Sequence, residues 1–396
     1  MSPRSSAVEA VPTAVGGSEA ELDISPGKWP AGNRVRIHAV GDIMLGDQYC
    51  SLGFGFRSRY QGRYMSSVAD PIIRSALAEA DLLLGNLECS YNDSPDMRIR
   101  DNVMTTHSEG LDFLRSLGFQ ALSLANNHTL ERGGAGLETL KAALDARNIQ
   151  YFGTADKPFA KLNTRGCRIA VLGVNAVPDH KNSDDLVHYD PVAIGRQVRL
   201  ARTEADSVVV YIHWGNELVD SPSPAQLEMA RNMADAGADL IVGAHPHVLQ
   251  PVKRLGTCLV AYSTGNLLSD SYSTLTFPTG IFQFEWDPRG RQWQWDVLPL
   301  CTDSQYRLHW ADSEQASEIR RLLESPLHTW DESDYNARVV KLRQRFRRET
   351  LAHIVRHLWH YEDRAGVIRW VARRGQLLVK NWRREQKAPS DVYRWR

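Results

Sequence analysis

DLIVGAHPH, Asp239 to His247, is the stretch on which the fold turns. It opens with a short apolar run that shows no polar alternation, the pattern of a strand buried on both faces in a parallel sheet. Gly243 follows the run, and two histidines stand two positions apart across Pro246. Working outward, the same grammar recurs. Ser207 to Ile212 runs into His213-Trp214-Gly215, and Val35 to Val40 runs into Gly41-Asp42. Asp81 to Leu84 runs into Gly85-Asn86, with Glu88 two positions on. Phe119 to Leu124 leads to Asn126-Asn127-His128, and Cys167 to Val174 is one more apolar run. Between these runs, helical patterns cover Pro71 to Glu79, Glu109 to Leu117, Ala135 to Arg147, a segment before Ser207, and Pro224 to Asp235. Strand alternating with helix predicts an α/β fold with helices outside a mostly buried sheet. Asn92 to Thr106 reads as a long loop. Short runs at Leu259 to Ser263, Ile281 to Trp286 and Gln292 to Leu298 alternate in aromatic residues and predict an antiparallel part.

The polar clusters fall at strand ends, where open α/β sheets carry their ligand sites. They supply Asp42, Asn86, Glu88, Asn127, His128, His213, His245 and His247. Each has a plainer reading by itself: Asp42 as a turn cap, Asn126 and Asn127 as turn residues, His213 as a core histidine. Taken together, five segments do not converge on strand termini by accident, and the His-Pro-His triplet can aim two imidazoles at one ion. Imidazole nitrogens with carboxylate and amide oxygens form a mixed shell for a divalent cation. The set exceeds one tetrahedral site, so it can hold one ion or two. Donor types alone do not choose among Mn, Zn, Fe, Ca and Mg.

The chain has 396 residues, of which 42% are hydrophobic and 24% charged, an ordinary globular balance. Formal net charge is zero, but its distribution is uneven. From Lys341 to Arg396 there are 16 Lys+Arg against 5 Asp+Glu, a local excess of 11. Five scattered cysteines form neither a CxxC nor a disulfide framework and read as reduced core residues. No apolar run of signal-peptide or membrane-span length is present, which gives the expectation of a cytoplasmic protein without a membrane partner. Residues 1–33, rich in Ser, Pro, Gly and Ala, read as a disordered tail, and residues 34–300 as the catalytic domain. Residues 301–396 read as a basic, Trp-rich helical extension with no strong strand. In it, Trp330, Trp359, Trp370 and Trp382 lie among Arg343, Arg345, Arg347, Arg348, Arg373 and Arg374. No nucleic-acid recognition motif accompanies that charge. The extension reads either as a solvated basic helix packed by its aromatic face, or as a groove whose guanidinium forks hold a peptide carboxylate.

GDIMLGD (Gly41 to Asp47), GNLEC (Gly85 to Cys89) and LANNHTLERGGAGLETL (Leu124 to Leu140) resemble motifs of the CapA family. So do IHWGNE (Ile212 to Glu217), GAHPHVLQPV (Gly243 to Val252) and YSTGNLL (Tyr262 to Leu268), all in the family's order. The resemblance spans about Val35 to Leu300. It implies a metallophosphoesterase-like fold, a two-sheet β core flanked by helices. It also implies metal ligation by Asp42, Glu88, Asn127, His213, His245 and His247, with His128 as the catalytic histidine. Three positions depart from the phosphoesterase or family pattern. Met44 stands where phosphoesterases have a histidine ligand, Asn86 where they have a bridging aspartate, and Glu131 where the family commonly has Asp. A thioether is a poor ligand for hard cations, and an amide brings no charge between two of them.

The family is best known from synthesis of poly-γ-glutamate capsules. A soluble branch is a peptide epimerase in ribosomal peptide pathways, of the lasso peptide kind. That branch implies a precursor peptide as substrate and inversion of an L-residue by loss and return of its Cα proton. Inversion needs an acid or base on each face. His128 is the candidate for one; Glu217, His107 and Cys89 are candidates for the other. Each of these three also reads plainly, as a surface charge, a residue opening a helix and a core thiol. Capsule biosynthesis and metal-dependent hydrolysis of a phosphoester or peptide are the alternative activities.

Overall fold

The computed structural model describes residues 34–63, 67–94, 103–178, 183–328, 330–361 and 364–369. The expected tail, residues 1–33, and Trp370, Arg373, Arg374 and Trp382 lie outside the described residues. In chain order the strands are β1 (Val35–Ile43), β2 (Leu82–Leu87), β3 (Ser90–Tyr91), β4 (Thr105–Thr106), β5 (Ala121–Ser123), β6 (Gln150–Phe152), β7 (Phe159–Thr164) and β8 (Cys167–Asn175). They continue with β9 (Ser207–His213), β10 (Leu240–Ala244), β11 (Leu249–Leu255), β12 (Cys258–Thr264), β13 (Asn266–Leu268), β14 (Pro278–Asp287), β15 (Gln292–Thr302) and β16 (Leu308–Trp310). The α-helices are α1 (Phe56–Tyr60), α2 (Pro71–Ala78), α3 (Ser108–Leu117), α4 (Gly133–Asp145), α5 (Pro191–Glu204), α6 (Pro224–Ala236), α7 (Ser313–Glu324) and α8 (Glu332–Arg356).

The expected α/β architecture is present as two sheets. One has the order β16-β15-β14-β1-β2-β5-β6, with β13 also on β1; the other is β11-β12-β10-β9-β8-β7. β1, β2, β5 and β6 run parallel, and β14 to β16 form the antiparallel part that the aromatic alternation predicted. In the second sheet the four middle strands are parallel and both edges antiparallel. The period of two sorts the side chains. Ile37 and Ala39 of β1 share a core with Val209 and Tyr211 of β9 and Val242 of β10, between the sheets. Val40 and Ile43 face a second core with Leu77 of α2, Leu114 of α3 and Leu140 of α4. Ile212 and Ile241 face a third core with Val198 of α5 and Met233 of α6. The chain is therefore layered as helices, sheet, sheet, helices. Fully burying each such aliphatic side chain is worth about 1.5–3 kcal/mol.

Local signals explain where helices begin and end. At α6 the Ser223 hydroxyl accepts from the Gln226 N–H, the Gln226 side chain returns a bond to the Ser223 N–H, and Gly237 closes the helix at φ 109°. The sequence reading ended β1 and β2 at their glycines, and here the structure differs. Both strands run through Gly41-Asp42 and Gly85-Asn86. Glycine weakens most strands, but a Cβ on Gly41 would lie 1.9 Å from the Gly265 carbonyl oxygen. The glycine permits a close backbone approach instead of ending the strand. β6, β7 and β11 escaped the sequence reading. β7 is half exposed, and β11 carries Pro251, which is tolerated because β11 is an edge strand. β16 lies within the stretch expected to be wholly helical. It pairs with β15, so the sheet continues to Trp310 and the helices begin at Ser313. α7 adds Ile319 and Leu323 to the core between the sheets, and Tyr335 and Val339 of α8 bury against Val219. Among the described residues no helix is long and apolar enough to cross a membrane.

Candidate metal centre

Strand register assembles the site. Asp42 of β1 is level with Asn86 of β2 on one side and with Asn266 of β13 on the other, each beside a register shift. In the second sheet Ala244 of β10 is level with His213, the last residue of β9. The two sheets thus present their ligands at the same end. The Tyr211 hydroxyl donates to the Val40 carbonyl and ties the sheets together beneath them.

Asp42 is fully buried. Its Oδ1 accepts from Asn86 Nδ2 at 2.8 Å, and its Oδ2 accepts from the His245 backbone N–H at 2.9 Å and lies 3.1 Å from His247 Nδ1. Burial works to raise this carboxyl, but the hydrogen bond and charge of His247 and the charge of His213 outweigh it, so the group stays below its ordinary value. His245 and His247 both adopt positive φ, 91° and 57°, a conformation that non-glycine residues hold only where the surroundings impose it. His247 Nδ1 also lies 3.0 Å from Asn266 Oδ1. Burial lowers the His247 imidazole; the charge of Glu88 and the hydrogen bond to Asp42 overcome this and push it up to about 10. His245 goes the other way, well below the ordinary imidazole value, through burial and then the charges of His213 and His247.

Glu88 is the centre of the cluster. It is fully buried, and neither carboxylate oxygen has a hydrogen-bond donor among the described residues. Its Oε1 lies 3.4 Å from His213 Nε2 and 3.9 Å from His128 Nε2, and its Oε2 lies 3.8 Å from His247 Nδ1. His245 Nδ1 is likewise buried without a hydrogen-bond partner. A buried carboxylate without donors is costly unless a cation completes it. Two ligand groups, Glu88-His213-His245 and Asp42-Glu88-His247, each bring their donor atoms within 4.8 Å of one another. The residues therefore fit a divalent cation, and Glu88 belongs to both groups.

The remaining expected residues divide. Asn127 Oδ1 meets His213 Nε2 at 2.8 Å, so the amide does join the cluster. His128 stands at its edge. Its Nδ1 is 2.9 Å from Glu131 Oε1, which leaves Nε2 toward Glu88. Burial works to lower the His128 imidazole, but the hydrogen bond to Glu131 and the charges of Glu88 and Glu131 hold it above its ordinary value. Glu217 is exposed in the loop after His213, yet its charge bears on His247. His107 precedes α3, where its ring lies 3.5 Å from Glu109 and its electrostatic neighbours are Arg57, Glu109 and Asp93; none of these belongs to the cluster. Burial pushes the Cys89 thiol up to about 12, which holds it in its neutral form near neutral pH. Met44 is buried, with its backbone N–H donated to Leu268. Asn86 Nδ2 donates to Asp42 Oδ1 at 2.8 Å and lies 3.2 Å from His213 Nδ1, while its Oδ1 accepts from Asn126 Nδ2 at 3.2 Å.

Two participants were not named as site residues. Asn266 was legible in principle: it follows a glycine after an apolar run, as Asp42 and Asn86 do. Arg343 of α8 had been noted only for its charge. Its Nη2 donates to Asn216 Oδ1 at 3.2 Å, in the loop after His213, and its charge reaches His245. Of the other noted groups, Arg345 pairs with Glu349, Trp330 Nε1 donates to Ser221 Oγ, and Trp359 is exposed.

This geometry coincides with clear sequence kinship. The family model described as "Bacterial capsule synthesis protein PGA_cap" matches residues 36–271, from β1 to just beyond Asn266. The chain is 30% identical over 276 residues to the "PGA biosynthesis protein CapA" of Bacillus subtilis (strain 168), covering 66% of this chain and 70% of that protein. It is also 30% identical over 296 residues to the "Capsule biosynthesis protein CapA" of Bacillus anthracis, covering 70% of each. Among solved structures, a novel phosphatase from Mycoplasma pneumoniae aligns with a TM-score of 0.43 at 12% identity, over 68% of this chain and 94% of that one. Two facing sheets with a carboxylate-imidazole cluster at their shared end make an α/β sandwich with a candidate metal site. The chain belongs to the CapA family of bacterial capsule synthesis proteins.

Proposed function

We propose that this chain is a metal-dependent peptide epimerase, inverting an L-residue to D in a precursor peptide by removal and return of its Cα proton. The observation that carries the reading is His128. It stands beside the ligand cluster, with its Nδ1 on Glu131 and its Nε2 toward Glu88. A histidine held this way through one nitrogen is free to take or give a proton at the other.

Asp42, Glu88, Asn127, His213, His245 and His247 would hold the cation. A divalent ion there stabilises negative charge that develops on a substrate oxygen. His128 removes or returns the proton at Nε2, and Glu131 orients the ring and supports its charged form. Arg343, above the loop after His213, supplies a guanidinium for a substrate carboxylate. Glu217 is the candidate acid or base for the second face. Hydrolysis is a weaker reading, because Met44 and Asn86 replace the charged or coordinating groups that a hydrolytic ion pair uses. The names of the two Bacillus relatives favour one further reading, a part in building a glutamate polymer.

The test is incubation of candidate peptides in heavy water with divalent metal, followed by mass and chirality analysis. One deuteron at Cα with inversion is expected, and its loss in His128→Gln. Absence of exchange together with turnover of phosphate esters would overturn the reading.

A further inference from the structure

Helix α8 reaches a second cavity beyond the metal cluster. About 410 Å³ in volume, it lies where the last turns of the helix meet the segment around Phe54 and the chain after β13. Its walls are rings: Tyr272 stacks on His353 at 4.4 Å, and Phe54 stacks on His357 at 5.2 Å. Two guanidiniums, Arg59 and Arg356, also line it. Arg59 lies over the Tyr306 ring at 5.4 Å, and its buried Nε has no hydrogen-bond partner among the described residues. His353 Nε2 is also buried and unpartnered. The one acid in the lining, Glu349, is already engaged by Arg345 Nε at 2.8 Å and Ser273 Oγ at 2.6 Å. Arg356 forms no ion pair among the described residues. Its charge and that of His357 add to burial in pushing the His353 imidazole down to about 4. Among the described residues of its lining, the hollow thus offers two cations and buried nitrogens while its one carboxylate is already engaged; the buried Asp270 carboxyl bears on Tyr272 and Tyr306 but does not line it.

We propose that this cavity binds a carboxylate of the peptide substrate, remote from the residue that reacts. This rests on the peptide reading above. Arg343 and His353 are ten positions apart on α8, about 15 Å at a rise of about 1.5 Å per residue. An extended peptide covers that span in about five residues. Guanidinium forks match a carboxylate, and the volume suits an acidic side chain with its backbone. The carboxylate comes either from an Asp or Glu side chain or from the peptide's C-terminus.

Fluorescence anisotropy on the full chain in EDTA tests this without turnover. The probes are N-terminally labelled pentaglutamate amide, pentaglutamine amide and pentaglutamine free acid. The expected result is at least tenfold tighter binding of one carboxylate probe than of pentaglutamine amide. Preference for the first probe assigns the side chain as the source; preference for the third assigns the terminus. Arg59→Gln and Arg356→Gln each lower that preference about tenfold. Ala352→Phe, which keeps both charges and fills the cavity at its lining, removes it as well, and it decides the matter if an arginine variant does not fold. Equal affinity for all three probes, or a preference that survives every variant, overturns the proposal. If the preference holds but no peptide exchanges deuterium, the epimerase reading fails while the cavity stands. Exchange without preference sinks the cavity alone.

Discussion

Glu88 concentrates the chemistry of the cluster in one side chain. It is the shared member of both ligand groups and lacks a hydrogen-bond donor among the described residues, where its charge is answered by the surrounding imidazoles. Glu88→Gln keeps the volume and removes the charge. Loss of an outer-shell partner typically weakens a metal site about 10–100-fold, and for this residue at least about 100-fold weaker metal binding is expected by calorimetry. His128→Gln gives the opposite pattern: bound metal unchanged, but turnover lower by about 10²–10⁴-fold, the usual share of a general acid or base. A third residue reports on acid stability. His38, in the middle of β1, is fully buried, with Nδ1 3.4 Å from the Leu77 carbonyl and Nε2 3.2 Å from Gln283 Nε2. Burial, then the nearby charge of Arg36, lowers it to about 4, against the upward pull of the Leu77 bond. The unfolded chain, with an ordinary imidazole near 6.5, therefore binds the proton first. Stability is complete above about pH 6.5 and falls as pH drops toward 4, by about 3 kcal/mol over the window. Urea titrations across pH 4 to 7 should show that slope, and His38→Gln should reduce it, leaving the share of other buried imidazoles such as His353.

At the scale of elements, the site depends on strands that pass closer than side chains allow. Gly41→Ala places a methyl group against the Gly265 carbonyl, to which the Asp42 N–H donates at 2.9 Å. Overpacking of this kind costs about 1–3 kcal/mol or more. A lower melting temperature with weakened metal binding is expected, since Asp42 moves with the strand. This same approach explains what the sequence made legible. Apolar runs that lead into Gly-Asp, Gly-Asn, His-Trp-Gly and His-Pro-His identified the β1, β2, β9 and β10 ligands, because each ligand lies at or within three residues of the end of its strand. Asn266 was missed because β13 is three residues long and takes its place from β1, not from a periodic pattern of its own. His107 and Cys89 looked equivalent to Glu217 in sequence. Their separation comes from burial and from which charges surround them, and no local pattern encodes either. The positive φ of His245 and His247 is equally silent in sequence, because neither is the glycine or asparagine that usually marks such a turn.

For the whole molecule, the ligands are contributed by both sheets, and a bound ion therefore favours the folded state over any state in which the sheets part. With free metal at about 100 times its dissociation constant, the gain is about 2.7 kcal/mol. Chelation should lower the melting temperature of the wild type markedly and that of Glu88→Gln much less, as calorimetric scans would record. The extension adds its own small core. Tyr335 and Val339 of α8 bury against Val219, six residues past His213, and Arg343 is carried on the same helix. Removing Val339 methyl groups should therefore reach the cluster through the loop of Asn216.

β1 has a further consequence. It is the first strand among the described residues and lies in the middle of its sheet, between β2 and β14, with β13 also paired to it. On a ribosome that adds about 5–20 residues per second, Val35 to Ile43 leaves the exit tunnel long before Pro278 to Asp287 has been made. For that interval one flank of the strand stays open, and Asp42 waits without Asn266, His245 and His247. The metal centre cannot be assembled during early synthesis. The ligand set is complete only once His247 has been made, and a product truncated before β14 would leave one edge of β1 unpaired.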